Sequence, residues 1–177
     1  MSKKMMEEKE RLSKEEEVYL YIIKNLQNSL HFGKTLFYKV LYFSDFDFYE
    51  LNERSITGDE YHRIPYGPAP SRFDAVISKL EIKGLIEESQ VDWNGKKQVR
   101  YSLKKDFNPK RLKLNEKSQL DRNMERLGGM TATQVSEYSH QDMPYKATKE
   151  NEVIDYELVF YRNPMFSASS SSSSKEY

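Results

Sequence analysis

The side chains able to do chemistry are few and scattered. His31, His62 and His140 are the only histidines, and there is no cysteine. No two histidines stand four apart and no HExxH pattern occurs. A zinc site would need ligands gathered from distant segments, so neither a metal nor a cofactor is expected. Asp45, Asp47 and Glu50 flank Phe46 and Phe48. Paired carboxylates do acid–base work when their environments split their pKa values. Here no nucleophile, phosphate-cradling loop or oxyanion motif accompanies them, and GxxxxGK[ST], GxGxxG and GxSxG are absent. These acids therefore read as a solvated or partner-facing edge, and the chain as a binding protein rather than an enzyme.

Two stretches carry binding chemistry instead. Pro65-Tyr66-Gly67-Pro68-Ala69-Pro70 holds three prolines, which fix φ and bias their predecessors toward extended geometry. A flexible tether would use Gly and Ser, so this is a stiff, aromatic-bearing loop of the kind that carries binding residues. With it goes an aromatic set, Tyr42, Phe43, Phe46, Tyr49 and Tyr61. Part of that set fills a core, and the surplus suits an interface, because Tyr gives large contact area at little ordering entropy. The expected contact residues are Tyr42, Phe46, Tyr61, Tyr66, Gly67, Pro68 and His140. His140 has two readings, a partner contact and a structural imidazole at a helix end.

The second stretch is basic. Lys96, Lys97, Arg100, Lys104, Lys105, Lys110, Arg111 and Lys113 have only Asp106 as an acidic neighbour. Lys96, Lys97, Arg100, Lys104 and Lys105 suit phosphate contact, and equally a solvated hairpin whose lysines resist edge aggregation. The helix that would read bases carries Arg72 and Lys79 but also Asp74 and Glu81, without an Arg/Asn/Gln cluster. The formal net charge is zero. Nucleic acid is therefore the second choice of partner.

The elements that position these residues are legible from spacing. Ser13 and Glu16 form a capping-box pair ahead of Val18, Tyr21, Ile22, Leu26 and Ser29 on one helical face. After Gly33, Leu36, Phe37, Val40, Leu41, Ser44 and Phe48 recur at helical spacing in a second helix that is apolar on most sides. A third opens near Ser71 and closes at Gly84. Leu85–Val91 and Val99–Leu103 flank Asn94-Gly95, a hairpin signal. A two-residue loop pairs Trp93 with Lys96 and Val91 with Gln98; a longer one pairs Val91 with Val99. Asn115 caps a helix to Leu127, and Thr131 caps another ending near His140, before Pro144. Val153–Tyr161 has helical and strand character at once. The fold expected is mainly α (α+β), a helical domain with a winged-helix-like β-hairpin, the third helix standing where a recognition helix would.

The chain of 177 residues suits one domain spanning 15–164, with a polar lead-in at 1–14 and a serine-rich tail at 165–177 expected to be disordered. No apolar run reaches the roughly 20 residues that span a bilayer. The first residues do not read as a signal peptide. Absence of cysteine fits a reducing cytoplasm.

Four stretches together resemble the Panacea domain of the SocA-like antitoxin family: Lys39-Val40-Leu41-Tyr42-Phe43-Ser44-Asp45, Ile56-Thr57-Gly58-Asp59-Glu60-Tyr61, Tyr66-Gly67-Pro68 and Ser139-His140. They stand in the family's order, and the resemblance spans roughly 15–161. It implies a mostly helical antitoxin that neutralises a cognate toxin by direct contact. A relative that delivers its toxin to a protease makes a protease or chaperone a further partner on this resemblance. The aromatic that follows the family's histidine is Tyr145 here, after Pro144. The rival classes are a winged-helix DNA-binding regulator and a proteolytic adaptor.

Overall fold

The computed structural model describes residues 1–169, apart from the side chains of 8–10. Its elements are α1 (Lys3–Glu10), α2 (Lys14–Leu26), α3 (Lys34–Asn52), β1 (Tyr61–Ile64), β2 (Gly67–Pro70), α4 (Phe73–Ile82), β3 (Ile86–Trp93), β4 (Lys96–Leu103), α5 (Leu114–Leu127), α6 (Ala132–His140) and α7 (Met143–Lys146), then a 3-10 helix (Tyr156–Tyr161). The fold is α+β, with helix predominant and two separate two-stranded antiparallel sheets, β1–β2 and β3–β4.

Local chemistry sets most boundaries. The Ser13 hydroxyl accepts the Glu16 N–H at 3.1 Å and Glu16 accepts the Ser13 N–H at 3.4 Å, which starts α2. Thr131 and Gln134 start α6 in the same way. Asn94 and Gly95 take φ of 49° and 77°, so the second hairpin turns in two residues and pairs Trp93 with Lys96 and Val91 with Gln98. The longer-loop register is not used. Helix α5 begins one residue before the expected cap: Lys113 is the N-cap and donates its N–H to Glu116 Oε1 at 3.0 Å, leaving Asn115 inside the first turn. The ambiguous segment divides, with Val153 bridging to His62 and the 3-10 helix following.

The proline-rich segment is a hairpin, not a loop. β1 and β2 pair from Tyr61↔Pro70 to Ile64↔Gly67 around the two-residue turn Pro65-Tyr66. Such a turn makes Ile64/Gly67 and His62/Ala69 the hydrogen-bonded pairs. Pro68 and Pro70 thus fall where no N–H is required, so the strand accommodates them. The outer edge of β1 is covered as well: Arg63 N–H donates to Glu152 O, and Asn151 and Ile154 N–H donate to Arg63 O and Tyr61 O.

Helix α3 runs through the centre and is buried along most of its length. It packs against α5, α6, β2 and the 3-10 helix, while α2 packs against α4, α5 and β4. Phe166 is buried against Phe43 and Tyr138, and Ser167 and Ser169 bond Glu50, so packing continues past residue 165. The expected disorder of the serine run at 170–177 lies outside the described residues. No described helix is long and apolar enough to cross a membrane.

Candidate functional site

Helix α3 carries three buried polar anchors spaced by three residues, the outer two on the first hairpin and the middle one on the α6–α7 connection. At one end Asp45 Oδ1 accepts the N–H groups of Ile56 and Thr57 at 2.9 Å each. Its Oδ2 accepts the hydroxyls of Thr57 and Tyr61 at 2.5 and 2.7 Å. Burial pushes the Asp45 carboxyl up to about 6, against the pull of those donors. In the middle Tyr42 donates to Asp142 Oδ2 at 2.8 Å. At the other end Lys39, 1 % exposed, donates from Nζ to Pro68 O at 3.3 Å. No ion pair to Lys39 is recorded among the described residues, and burial pushes its amine down to about 7. Asp45 thus fastens β1, and Lys39 fastens β2.

The turn between those strands is fixed from below. Gly67 has φ 108°, and a Cβ there would stand 2.6 Å from Lys39 Cε and closer still to Ser139 Oγ. Only glycine fits both the backbone conformation and the space. Ser136 donates its hydroxyl to Tyr66 O at 2.8 Å, and Tyr145 donates to Ile64 O at 2.7 Å. Tyr66 itself is 74 % exposed, an aromatic ring held out on a rigid two-residue turn. Beside it lies a cavity of about 500 Å³ lined by Arg63, Ile64, Pro65, His140, Tyr145, Lys146 and Glu150. Arg63 is locked in place by the carbonyls of Tyr145, Lys146 and Thr148 and lies 4.6 Å from the Tyr145 ring centre. His140 stacks on the other aromatic surface of this corner, 5.0 Å from Tyr145 and nearly parallel. Its Nε2 is buried and has no hydrogen-bond partner.

A buried amine close to a serine hydroxyl suggests proton transfer, but the geometry seals the pair. Ser139 is fully buried and donates to Ser136 O at 2.7 Å. The Lys39 and Ser139 pair is a packing device under Gly67. Among the described residues no group of three or more His, Cys, Asp or Glu side chains could hold a metal ion.

The expected contact residues separate into two sets. Tyr66 and His140 lie at this corner, whereas Gly67 and Pro68 are buried beneath it against Lys39 and Ser139 and support the turn without offering contact surface. Tyr42, Phe46 and Tyr61 do not reach the surface: all three are 0 % exposed and pack on one another in the core, Tyr61 edge-to-face on the other two. They are corrected from anchors to the packing that supports the turn. Asp45 and Asp47 are likewise buried, not a solvated edge. Asp47 binds Arg162 at 2.7 Å and Arg126 at 3.2 Å. Of the basic set, Lys96, Lys97, Lys104 and Lys105 are exposed. Arg100 is occupied: its guanidinium closes the C-terminal end of α2 through Gln27 O, Ser29 O and Leu30 O at 3.3, 2.6 and 3.0 Å, and so is not a free phosphate contact.

Sequence reasoning missed Arg63 and Arg162. Arg162 has no exposed side-chain surface and binds Asp142 through two bonds of 2.9 and 2.7 Å, as well as Asp47. The available signal was an arginine beyond the last helix with unmatched acids at 45, 47 and 142.

A family model described as antitoxin SocA-like, Panacea domain, matches residues 37–146, well over half the chain. The match runs from α3 to α7 and includes all three fastening residues of α3 and both sides of the Tyr66 corner. No curated protein and no solved structure matches the chain.

Proposed function

This chain belongs to the antitoxin SocA-like, Panacea-domain family, and from that premise we propose that it neutralises a cognate toxin by direct protein–protein binding at the Tyr66 corner. The observation that carries the placement is the exposed Tyr66 ring on a turn that α3, α6 and Tyr145 hold rigid. A ring already fixed in position loses little entropy on binding, and the cavity beside it, with Arg63 and His140, receives a side chain from the partner. Docking hides the toxin's active surface or holds it inactive. No chemical step is involved, and the action belongs to the cytoplasm, where a chain without cysteine is at home.

The order α2, α3, α4, hairpin supports a wing-like role for β3–β4. We assign that hairpin to scaffolding in preference to duplex reading, because Glu87, Glu88 and Asp92 lie exposed on β3 among the wing lysines.

The test is co-expression with the product of the neighbouring toxic reading frame, read as growth rescue, with a pulldown of the purified pair. Rescue together with a stoichiometric complex is the expected result. Rescue without a complex, or specific binding of a short duplex at physiological salt with no protein partner recovered, would overturn the proposal.

A further inference from the structure

A second concave surface lies at the opposite end of α6 from the Tyr66 corner. It is a groove of about 540 Å³ between the tip of the β3–β4 hairpin, the start of α3 and the start of α6. Lys34, Lys96, Lys97 and His31 line it together with Trp93, and none of its lining residues is acidic. In a chain with equal numbers of acidic and basic residues this is a local excess of one sign. The Lys34 ammonium lies over the Tyr38 and Phe73 rings and contacts Asp74 at 3.4 Å, a long and exposed ion pair that an incoming carboxylate can replace. The N-cap of α3 is Gly33, which has no side chain to accept from the first-turn amides, so the end of a 19-residue helix adds partial positive charge. Trp93 is 43 % exposed, an apolar surface amid cations.

We infer that this groove docks a short acidic segment of a protein partner, carboxylates against Lys34, Lys96 and Lys97 and an apolar side chain against Trp93. Charge complementarity selects an anionic occupant. The dimensions and surroundings select a peptide over a nucleic acid. The groove is local and not a stripe, and Glu87, Glu88 and Asp92 are exposed on β3, the strand that leads to its rim, where they would oppose a long polyanion. The inference is independent of toxin docking, which uses the other end of α6.

The chain contains a single tryptophan, so its fluorescence reports this groove alone. The experiment titrates the full-length protein with a capped peptide of alternating glutamate and leucine, and in parallel with the lysine–leucine counterpart, inorganic phosphate and a short DNA duplex. The glutamate peptide is expected to give a saturable change in Trp93 emission with a midpoint near millimolar, weakened by salt. Lys96→Gln/Lys97→Gln, which removes charge without placing an acid opposite Asp92, should raise that midpoint about tenfold while leaving the circular dichroism spectrum unchanged. Four results would each overturn the inference: no saturable change, an equal response to the lysine peptide, an unchanged midpoint in the glutamine variant, or tighter binding of the duplex or of phosphate than of the peptide.

Discussion

Lys39 and Gly67 meet beneath the Tyr66 turn. The Lys39 amine falls from 10.5 to about 7 because burial penalises its charge. Between those values the unfolded chain holds a proton that the folded chain has released. The resulting penalty on stability is full below about pH 7 and fades as pH rises toward 10.5, with a slope of about 1.4 kcal/mol per pH unit. Lys39→Met keeps the apolar stem and abolishes the titration. Its melting temperature should exceed that of the parent at pH 7, and the rise in stability that the parent shows from pH 7 to 9 in denaturant titrations should flatten. An unchanged slope would mean that the amine stays charged in the fold. Gly67→Val combines strain at φ 108° with overlap on buried Lys39 and Ser139. It should cost about 3 kcal/mol or more and expose the Tyr66 turn to limited proteolysis. An unaltered melting temperature would contradict the packing described for that turn.

At the scale of elements, signals that need only a few neighbouring residues are readable in the sequence. The Ser13/Glu16 and Thr131/Gln134 boxes, Asn94-Gly95 and the apolar stripe of α3 all depend on contacts within one turn of chain, and the helices and second hairpin follow from them. What the sequence conceals depends on distant partners. The prolines of β2 look like loop residues until the register sets them at positions that need no N–H. Asp45 looks like a surface acid until Ile56, Thr57 and Tyr61 converge on it. Arg100 looks like a phosphate contact, yet its partners are carbonyls some 70 residues earlier. For Tyr42, Phe46 and Tyr61, residue type and spacing cannot separate an aromatic core from an aromatic interface. The role found for Arg100 is testable: Arg100→Ala should destabilise the protein by about 1–3 kcal/mol in urea unfolding, by freeing the carbonyls at the end of α2. A stability equal to that of the parent would restore Arg100 to the exposed basic set.

The whole molecule is closed by a segment outside the family match. Arg162 reaches back over 100 residues to Asp47 and joins Asp142, which also receives Tyr42. Removing one member of such a buried group strands opposite charges in the interior. Arg162→Ala should therefore cost about 3–5 kcal/mol in thermal or chemical unfolding, and a chain truncated before residue 162 should lose its cooperative transition; a cooperative transition of parental midpoint in either would show that the Panacea-matched region folds unaided. Core and Tyr66 corner are thus one mechanical unit, with α3 carrying the hairpin that presents Tyr66. The most direct measurement of that account is the affinity of the purified chain for its toxin, by calorimetry, for the parent, Tyr66→Ala and Lys96→Glu/Lys97→Glu. Each variant is first matched to the parent by circular dichroism. Tyr66→Ala should weaken binding by about 2 kcal/mol, roughly thirtyfold, while the lysine reversal leaves it within a few fold. Full affinity in Tyr66→Ala, with loss in the lysine reversal, would move the toxin to the wing and contradict the account.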